Sequence, residues 1–332
     1  MSNEFKVYFF IGKGGVGKTT CAAAYSLILA RQGLKTLIVS LDPAHNLGDV
    51  FGLELSEKPK EILDNLYGIE VDFNKMVQEH LKDLTDRIKD IYGYLRVLNL
   101  DKYIDVLRHS PGIEEYATLE KISEIIESNF KERRYDTIVF DTPPTGLTIR
   151  IMALPSISLI WIRKLMELRM AILDRRRFLE EIYGEKLKAK IGDKELVMAS
   201  TIEEDPVYKE LRNLYKRVKF VNEIFTNPKI TTTVMVVNPE LLPVLEARRA
   251  YDFLKKIDIH VKAIIINKVL ELEVIPKELN VKFAEQTKAI QLINNEFRDI
   301  RILKVPILPE EPTGINNLLK ITKYLSPLIM ED

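Results

Sequence analysis

Gly12-Lys13-Gly14-Gly15-Val16-Gly17-Lys18-Thr19 carries the strongest local signal in the chain. Its eight positions satisfy G-x-x-x-x-G-K-[ST] without a mismatch, the signature of a phosphate-binding loop. The flanks agree. Val7-Tyr8-Phe9-Phe10-Ile11 is a short apolar run of buried-strand character, and Thr19 to Arg31 reads as a helix stopped at Gly33. Glycines let the backbone curl so that successive N–H groups surround phosphate oxygens, and the helix start adds its positive dipole end. In such a loop Lys18 reaches the β- and γ-phosphates and Thr19 offers a hydroxyl to Mg²⁺. The expected nucleotide ligands are Gly12, Lys13, Gly14, Gly15, Val16, Gly17, Lys18, Thr19 and Thr20, with ATP and Mg²⁺ as cofactors. A ligand-free glycine turn is the competing reading, and it leaves the full match unexplained.

Further strands are predicted at Thr36–Ser40, Thr137–Phe140, Thr232–Val237, Ala263–Ile266 and Ile302–Val305, with helical stretches between most of them. Strands alternating with helices imply an α/β fold: a mostly parallel, doubly wound sheet covered on both faces. Two of these strands end on a carboxylate where an open α/β sheet places its ligand crevice. Asp42, in Leu41-Asp42-Pro43, is suited to orient or activate the attacking water, and to reach Mg²⁺ through water. Asp141, in Asp141-Thr142-Pro143-Pro144, is suited to hold Mg²⁺. Strand-end turns and helix caps also favour Asp, so each assignment leans on the neighbouring phosphate loop.

Pro59 to Arg134 and Ile149 to about Asn227 break the alternation. They are long, charged and Leu/Ile-periodic, and are read as helical. The expected organisation is a nucleotide-binding core from 1–58, 135–148 and 228–332, and a helical subdomain from 59–134 and 149–227.

Composition narrows the function. The 332 residues carry 49 basic and 49 acidic side chains, so bulk charge does not point to a nucleic-acid partner. Apolar residues make up 46%, too many for a disordered chain. Cys21 is the only cysteine, which excludes an intrachain disulfide and a cysteine-held metal cluster within one chain. No apolar run reaches the ~18 residues that span a bilayer, and the start is not a signal peptide. The expected location is the cytoplasm.

Lys13 is a second lysine inside the loop. G-K-G-G-V-G-K-T resembles the deviant phosphate loop of the arsenite-pump ATPase, the tail-anchored protein targeting ATPase, the cell-division and chromosome-partitioning ATPases and the nitrogenase iron protein. Asp42-Pro43-Ala44-His45-Asn46-Leu47-Gly48-Asp49 and Asp141-Thr142-Pro143-Pro144-Thr145-Gly146 are similar to the two switch segments of the arsenite-pump and tail-anchored-targeting branch. Ser110-Pro111-Gly112-Ile113-Glu114-Glu115 resembles a segment of that branch's helical subdomain, and Asn238-Pro239-Glu240 with Glu246-Ala247-Arg248-Arg249 resembles another of its motifs. The resemblance implies a homodimer in which Lys13 crosses to the partner's nucleotide, acting as an arginine finger does. It also implies adenine contacts from Asn267, Pro306 and Pro309. Leu147 replaces a histidine common in the family, and His45 is read as structural or interfacial. The C-x-x-C zinc clip of the targeting branch is missing.

Ile151 to Ile162 is a twelve-residue stretch without a charge, and five of the eight methionines (Met76, Met152, Met166, Met170, Met198) fall in the helical insertions. Methionine suits a groove for varied apolar partners, although a packed helical core uses it too. The resemblance favours capture of tail-anchored membrane protein segments in such a groove, with release on ATP hydrolysis and a membrane receptor as a further partner. An arsenite efflux ATPase is the alternative, weakened because soft As(III) prefers several thiolates. An ATP-switched positioning protein of the partitioning type is the third reading.

Overall fold

The computed structural model describes residues 5–44, 47–91, 110–191, 194–271 and 275–328. The strands are β1 (Lys6–Gly12), β2 (Thr36–Ser40), β3 (Lys60–Leu63), β4 (Leu66–Glu70), β5 (Thr137–Asp141), β6 (Lys188–Ile191), β7 (Lys194–Val197), β8 (Thr231–Val237), β9 (Val261–Val269) and β10 (Arg301–Pro306). Eight of them form one sheet in the order β10-β9-β8-β1-β5-β2-β4-β3, parallel except for the β3–β4 pair. The α/β class and the mostly parallel sheet follow the sequence expectation.

The apolar runs become central strands because helices cover both of their faces. On one face α1 (Lys18–Arg31) packs against Tyr8, Phe10, Val139 and Val234, with α9 (Ile315–Leu325) beside it. Ala22, Ala23 and Ala24 are fully buried, so α1 is enclosed nearly all round. On the other face α7 (Leu241–Lys256) and α8 (Asn280–Glu296) cover Met235, Val237, Ile264 and Ile266. All the parallel strands point one way, and β1, β2, β5 and β8 end along one edge, where the phosphate loop leaves β1.

The remaining α-helices among the described residues are α2 (Leu47–Phe51), α3 (Phe73–Ile91), α4 (Ile113–Glu132), α5 (Thr145–Tyr183) and α6 (Pro206–Thr226). The chain divides into two compact units. One holds Met1–Met76, Glu124–Met152 and Ile224–Asp332; the other holds Val77–Ser123 and Ala153–Glu223. Among the described residues the second unit is helical apart from the β6–β7 hairpin, and the bidentate Arg169–Asp205 pair holds α5 to the start of α6, with Nε at 3.1 Å and 3.2 Å from the two oxygens.

Two segments read as helical contain strands. Residues 60–70, inside the Pro59–Arg134 insertion, form β3 and β4 and extend the main sheet, and the first unit runs to Met76 instead of ending at residue 58. Leu66-Tyr67-Gly68-Ile69-Glu70 is short and broken by glycine, so its strand character comes from pairing with β2, Thr36 opposite Leu66. Gly68 is needed there, since a Cβ would lie 2.7 Å from Ile62 Cδ1. β3 is charged, as suits an edge strand. The β6–β7 hairpin lies within the 149–227 insertion, where each strand is only four residues long, too short to stand out from the charged helical stretches around it. The helical expectation for 92–109, the placement of His45 and Asn46, and the C-terminal residues 329–332 lie outside the described residues.

Candidate active site

Gly17 ends the loop at φ 92° and starts α1 with no side-chain cap, which leaves the first amides of the helix available to an anion. Two of the loop's glycines are required by close approach. A Cβ on Gly12 would sit 2.4 Å from Val236 O, and one on Gly17 would sit 2.2 Å from Asn267 Nδ2. Lys18 is 4% exposed. Its ammonium lies 3.4 Å from Lys13 O and 3.9 Å from Asp42 Oδ2, folded back over the loop it is expected to serve.

Strand register brings the two carboxylates to one place. Asp141 pairs with Phe10 on β1 and with Ser40 on β2, and Leu41 N donates to Asp141 O at 2.9 Å. Asp42 therefore follows β2 directly beside the end of β5. Its Oδ1 accepts from Ala44 N at 3.1 Å, a local turn that fixes the carboxylate. Asp141 is completely buried, and neither of its carboxylate oxygens completes a hydrogen bond of ordinary geometry. Burial pushes its pKa up to about 7; the Thr19 hydroxyl and the Lys18 ammonium oppose this, Asp42 adds to it, and Ser40 opposes it. A buried carboxylate without hydrogen-bond partners and facing a threonine hydroxyl is a donor set that fits a hard cation. Among the described residues no group of three His, Cys, Asp or Glu could hold a metal. Thr19 and Asp141 suit an ion that takes its remaining oxygens from phosphates and water, as Mg²⁺ does.

Comparison with known proteins gives the family. A family model described as anion-transporting ATPase matches residues 5–327. The chain belongs to the anion-transporting ATPase family. A putative arsenical pump-driving ATPase 2 of Aquifex aeolicus (strain VF5) is 34% identical over 320 residues, covering 96% of this chain and 99% of the relative. ATPase GET3C of Arabidopsis thaliana is 31% identical over 344 residues, covering 98% and 85%. ATPase GET3 of Kluyveromyces lactis is 31% identical over 339 residues, covering 98% and 90%. The protein is an ATPase, and as such it binds a nucleotide.

Within this ATPase the other expected contacts fall at varied distances from the loop. Asn267 is buried on β9 and donates Nδ2 to Val16 O at 2.8 Å, which leaves Oδ1 as its group for a base. Pro306 closes β10 opposite Val269, and Pro309 lies in the bend that follows. Thr20 is half-buried in the first turn of α1. Lys13 Nζ lies 3.5 Å from Glu246 Oε2 on α7, both about half exposed. Thr142 Oγ1 donates to Phe10 O at 2.8 Å and Thr148 Oγ1 to Pro143 O at 2.6 Å, so the segment after Asp141 is tied back to β1 and to itself. Glu70 accepts from Leu47 N at 3.1 Å and so holds the start of α2.

Sequence reasoning missed Glu70 and Lys268. Lys268 Nζ donates to Gly15 O at 2.9 Å. Lys268 follows the expected base contact directly, so adjacency was the available signal. Cys21 is fully buried; burial pushes its thiol up to about 12, with Asp141 adding and Lys268 opposing.

The helical unit of the ATPase carries a second surface. Along α5, Ile157, Trp161, Leu165, Leu168 and Ile172 recur at three- and four-residue spacing and are all exposed; Trp161 is 66% exposed. Phe178, Leu179, Ile182 and Tyr183 continue the exposure to the helix end. At 1.5 Å per residue the stripe is roughly 40 Å long. The methionines do not form it: Met76 and Met152 are buried, and Met166, Met170 and Met198 are half-buried. One helix among the described residues, α5, is long and apolar enough to cross a membrane, with an 18-residue window of mean hydropathy 1.5, 39% of it buried. The uncharged run in the sequence is shorter because it stops at Arg150 and Arg163. Ile151 and Met152 are buried, and the first eight residues of α5, Thr145–Met152, belong to the first unit.

Proposed function

We propose that this ATPase is a Mg²⁺-dependent homodimer of the cytoplasm that captures apolar transmembrane segments of tail-anchored proteins and releases them to a membrane receptor when ATP is hydrolysed. One observation carries the reading: α5 begins four residues after Asp141, and the same continuous helix carries the exposed apolar stripe. A shift at the second switch would therefore be felt by the element that offers the client its surface. Such coupling needs the client to bind the two nucleotide states differently.

At the nucleotide, the loop amides and Lys18 hold the phosphates. Thr19 and Asp141, with Asp42 through water, would hold Mg²⁺, which would neutralise phosphate charge when bound. Lys18 leaves Asp42 for the phosphates, which frees a carboxylate oxygen to orient the attacking water and take its proton. Lys13 leaves Glu246 and reaches the partner subunit's nucleotide, where a cation stabilises the transferring phosphoryl group. Asn267 Oδ1, Pro306 and Pro309 frame the adenine.

The test is capture of a purified tail-anchored segment with and without ATP, by the wild-type chain and by Trp161→Asp/Leu168→Asp. Wild-type capture that depends on nucleotide, lost in the variant with basal ATPase activity retained, supports the reading. Absent or nucleotide-independent capture refutes it.

A second reading, an ATPase driving an arsenical pump, is favoured by the names of the Aquifex relatives. Against it, Cys21 is the only thiol and is buried and held protonated. Arsenite-stimulated ATP turnover would establish that reading, and turnover indifferent to arsenite would remove it.

A further inference from the structure

β9 is irregular where it passes the phosphate loop. Ile266 pairs with Lys304 and Val269 with Pro306, so three steps on β9 run against two on β10. This is a bulge, a device that re-aims side chains and is concentrated beside active sites. Within it Lys268 has φ 59°, the left-handed region that a lysine keeps only where its surroundings hold it. Glycine or asparagine would take that conformation at lower cost. The bulge delivers two consecutive side chains to two consecutive loop carbonyls: Lys268 Nζ to Gly15 O at 2.9 Å and Asn267 Nδ2 to Val16 O at 2.8 Å.

In a trans peptide the C=O and N–H point in opposite directions. Holding Gly15 O away from the loop centre turns Val16 N–H towards it, and holding Val16 O does the same for Gly17 N–H. Val16 N–H faces Lys13 O at 3.5 Å, the outer limit of a hydrogen bond, so it is open to a better acceptor. A charged donor holds a carbonyl more firmly than a neutral one, and Gly15 is exposed where water competes.

We propose that Lys268 is a positioning residue for the nucleotide: it locks the Gly15–Val16 peptide so that the loop amides face the diphosphate before it arrives. The inference rests on the phosphate-loop reading of residues 12–19. Lys268 acts through the Gly15 carbonyl of the loop, so it favours ADP and ATP alike, and the strained backbone is the cost of that placement.

Calorimetry on the wild-type chain, Lys268→Gly and Lys268→Arg tests this. The glycine variant removes the amine and relieves the backbone. It is expected to bind Mg·ATP and ADP each about tenfold more weakly, the loss of one charged hydrogen bond. Its KM for ATP should rise by a similar factor while kcat moves less, and its melting temperature should hold or rise. The arginine variant keeps a cationic donor and should bind near wild type. Wild-type affinity in Lys268→Gly overturns the inference alone. So does a loss confined to ATP, a melting temperature that falls with affinity, or an arginine variant as weak as the glycine one. A wild-type chain that binds neither nucleotide sinks the phosphate-loop reading and this inference together.

Discussion

Asp141→Asn should make the apoprotein more stable while disabling it. The unfolded carboxyl releases its proton near 3.8, and the folded one holds it to about 7 because burial disfavours the charge. Between those values the native chain binds a proton that the unfolded chain has lost, so raising the pH costs the native state stability. At about 1.4 kcal/mol for each tenfold change in acidity, the full penalty is roughly 4 kcal/mol. The side chain is completely buried, so solvent screening does not reduce it. An asparagine has the same shape and no charge to bury. The measurement is urea unfolding by circular dichroism in EDTA at pH 4, 5.5, 7 and 8.5. The variant's advantage should be near zero at pH 4, grow through pH 5.5 and level off above about 7. A destabilised variant, or an advantage independent of pH, would show that burial does not raise the Asp141 carboxyl's affinity for its proton. The wild-type chain should also release a proton on binding Mg·ATP near pH 7, read from binding heats in buffers of different ionisation enthalpy. The same release in the variant would move its source away from Asp141.

Asp42→Asn should retain ATP binding and lower turnover by about 10² to 10⁴, the usual range for a lost general base; normal turnover would remove Asp42 from that role. Glu246→Gln frees Lys13 from an exposed ion pair worth at most ~1 kcal/mol, so turnover at limiting protein concentration should rise about twofold to fivefold. No rise, with Lys13→Ala impaired, would show that the pair does not restrain the lysine. Gly17→Ala places a Cβ 2.2 Å from Asn267 Nδ2 at a positive φ, so nucleotide binding should be lost and the melting temperature lowered; binding at wild-type strength would mean that Asn267 can leave the loop freely.

The phosphate loop, the α/β class and six strands of the main sheet could be read from residues alone. Each rests on local information: a glycine pattern that permits one backbone path, or an apolar run long enough to require burial on both faces. β3, β4 and the β6–β7 hairpin could not, because their strand character comes from partners distant in sequence. Gly68 shows why, since it weakens a strand locally and is needed only once Ile62 packs against it. The two carboxylates were legible as strand ends, but their meeting was decided by the register of Phe10, Asp141 and Ser40. The same holds for the energetics. Composition supplied Asp141, and only the packed sheet excluded water from it. Methionine count pointed to the helical insertions, yet exposure fell to Ile157, Trp161, Leu165 and Leu168, because which side of a helix meets solvent depends on what packs against the other. Lys268 is the clearest case: its type and position were always visible, and its bond to Gly15 exists because a bulge between two strands turns it towards a loop about 250 residues earlier in the chain. Chemistry that resides in one segment is written in that segment; chemistry made by convergence needs the fold.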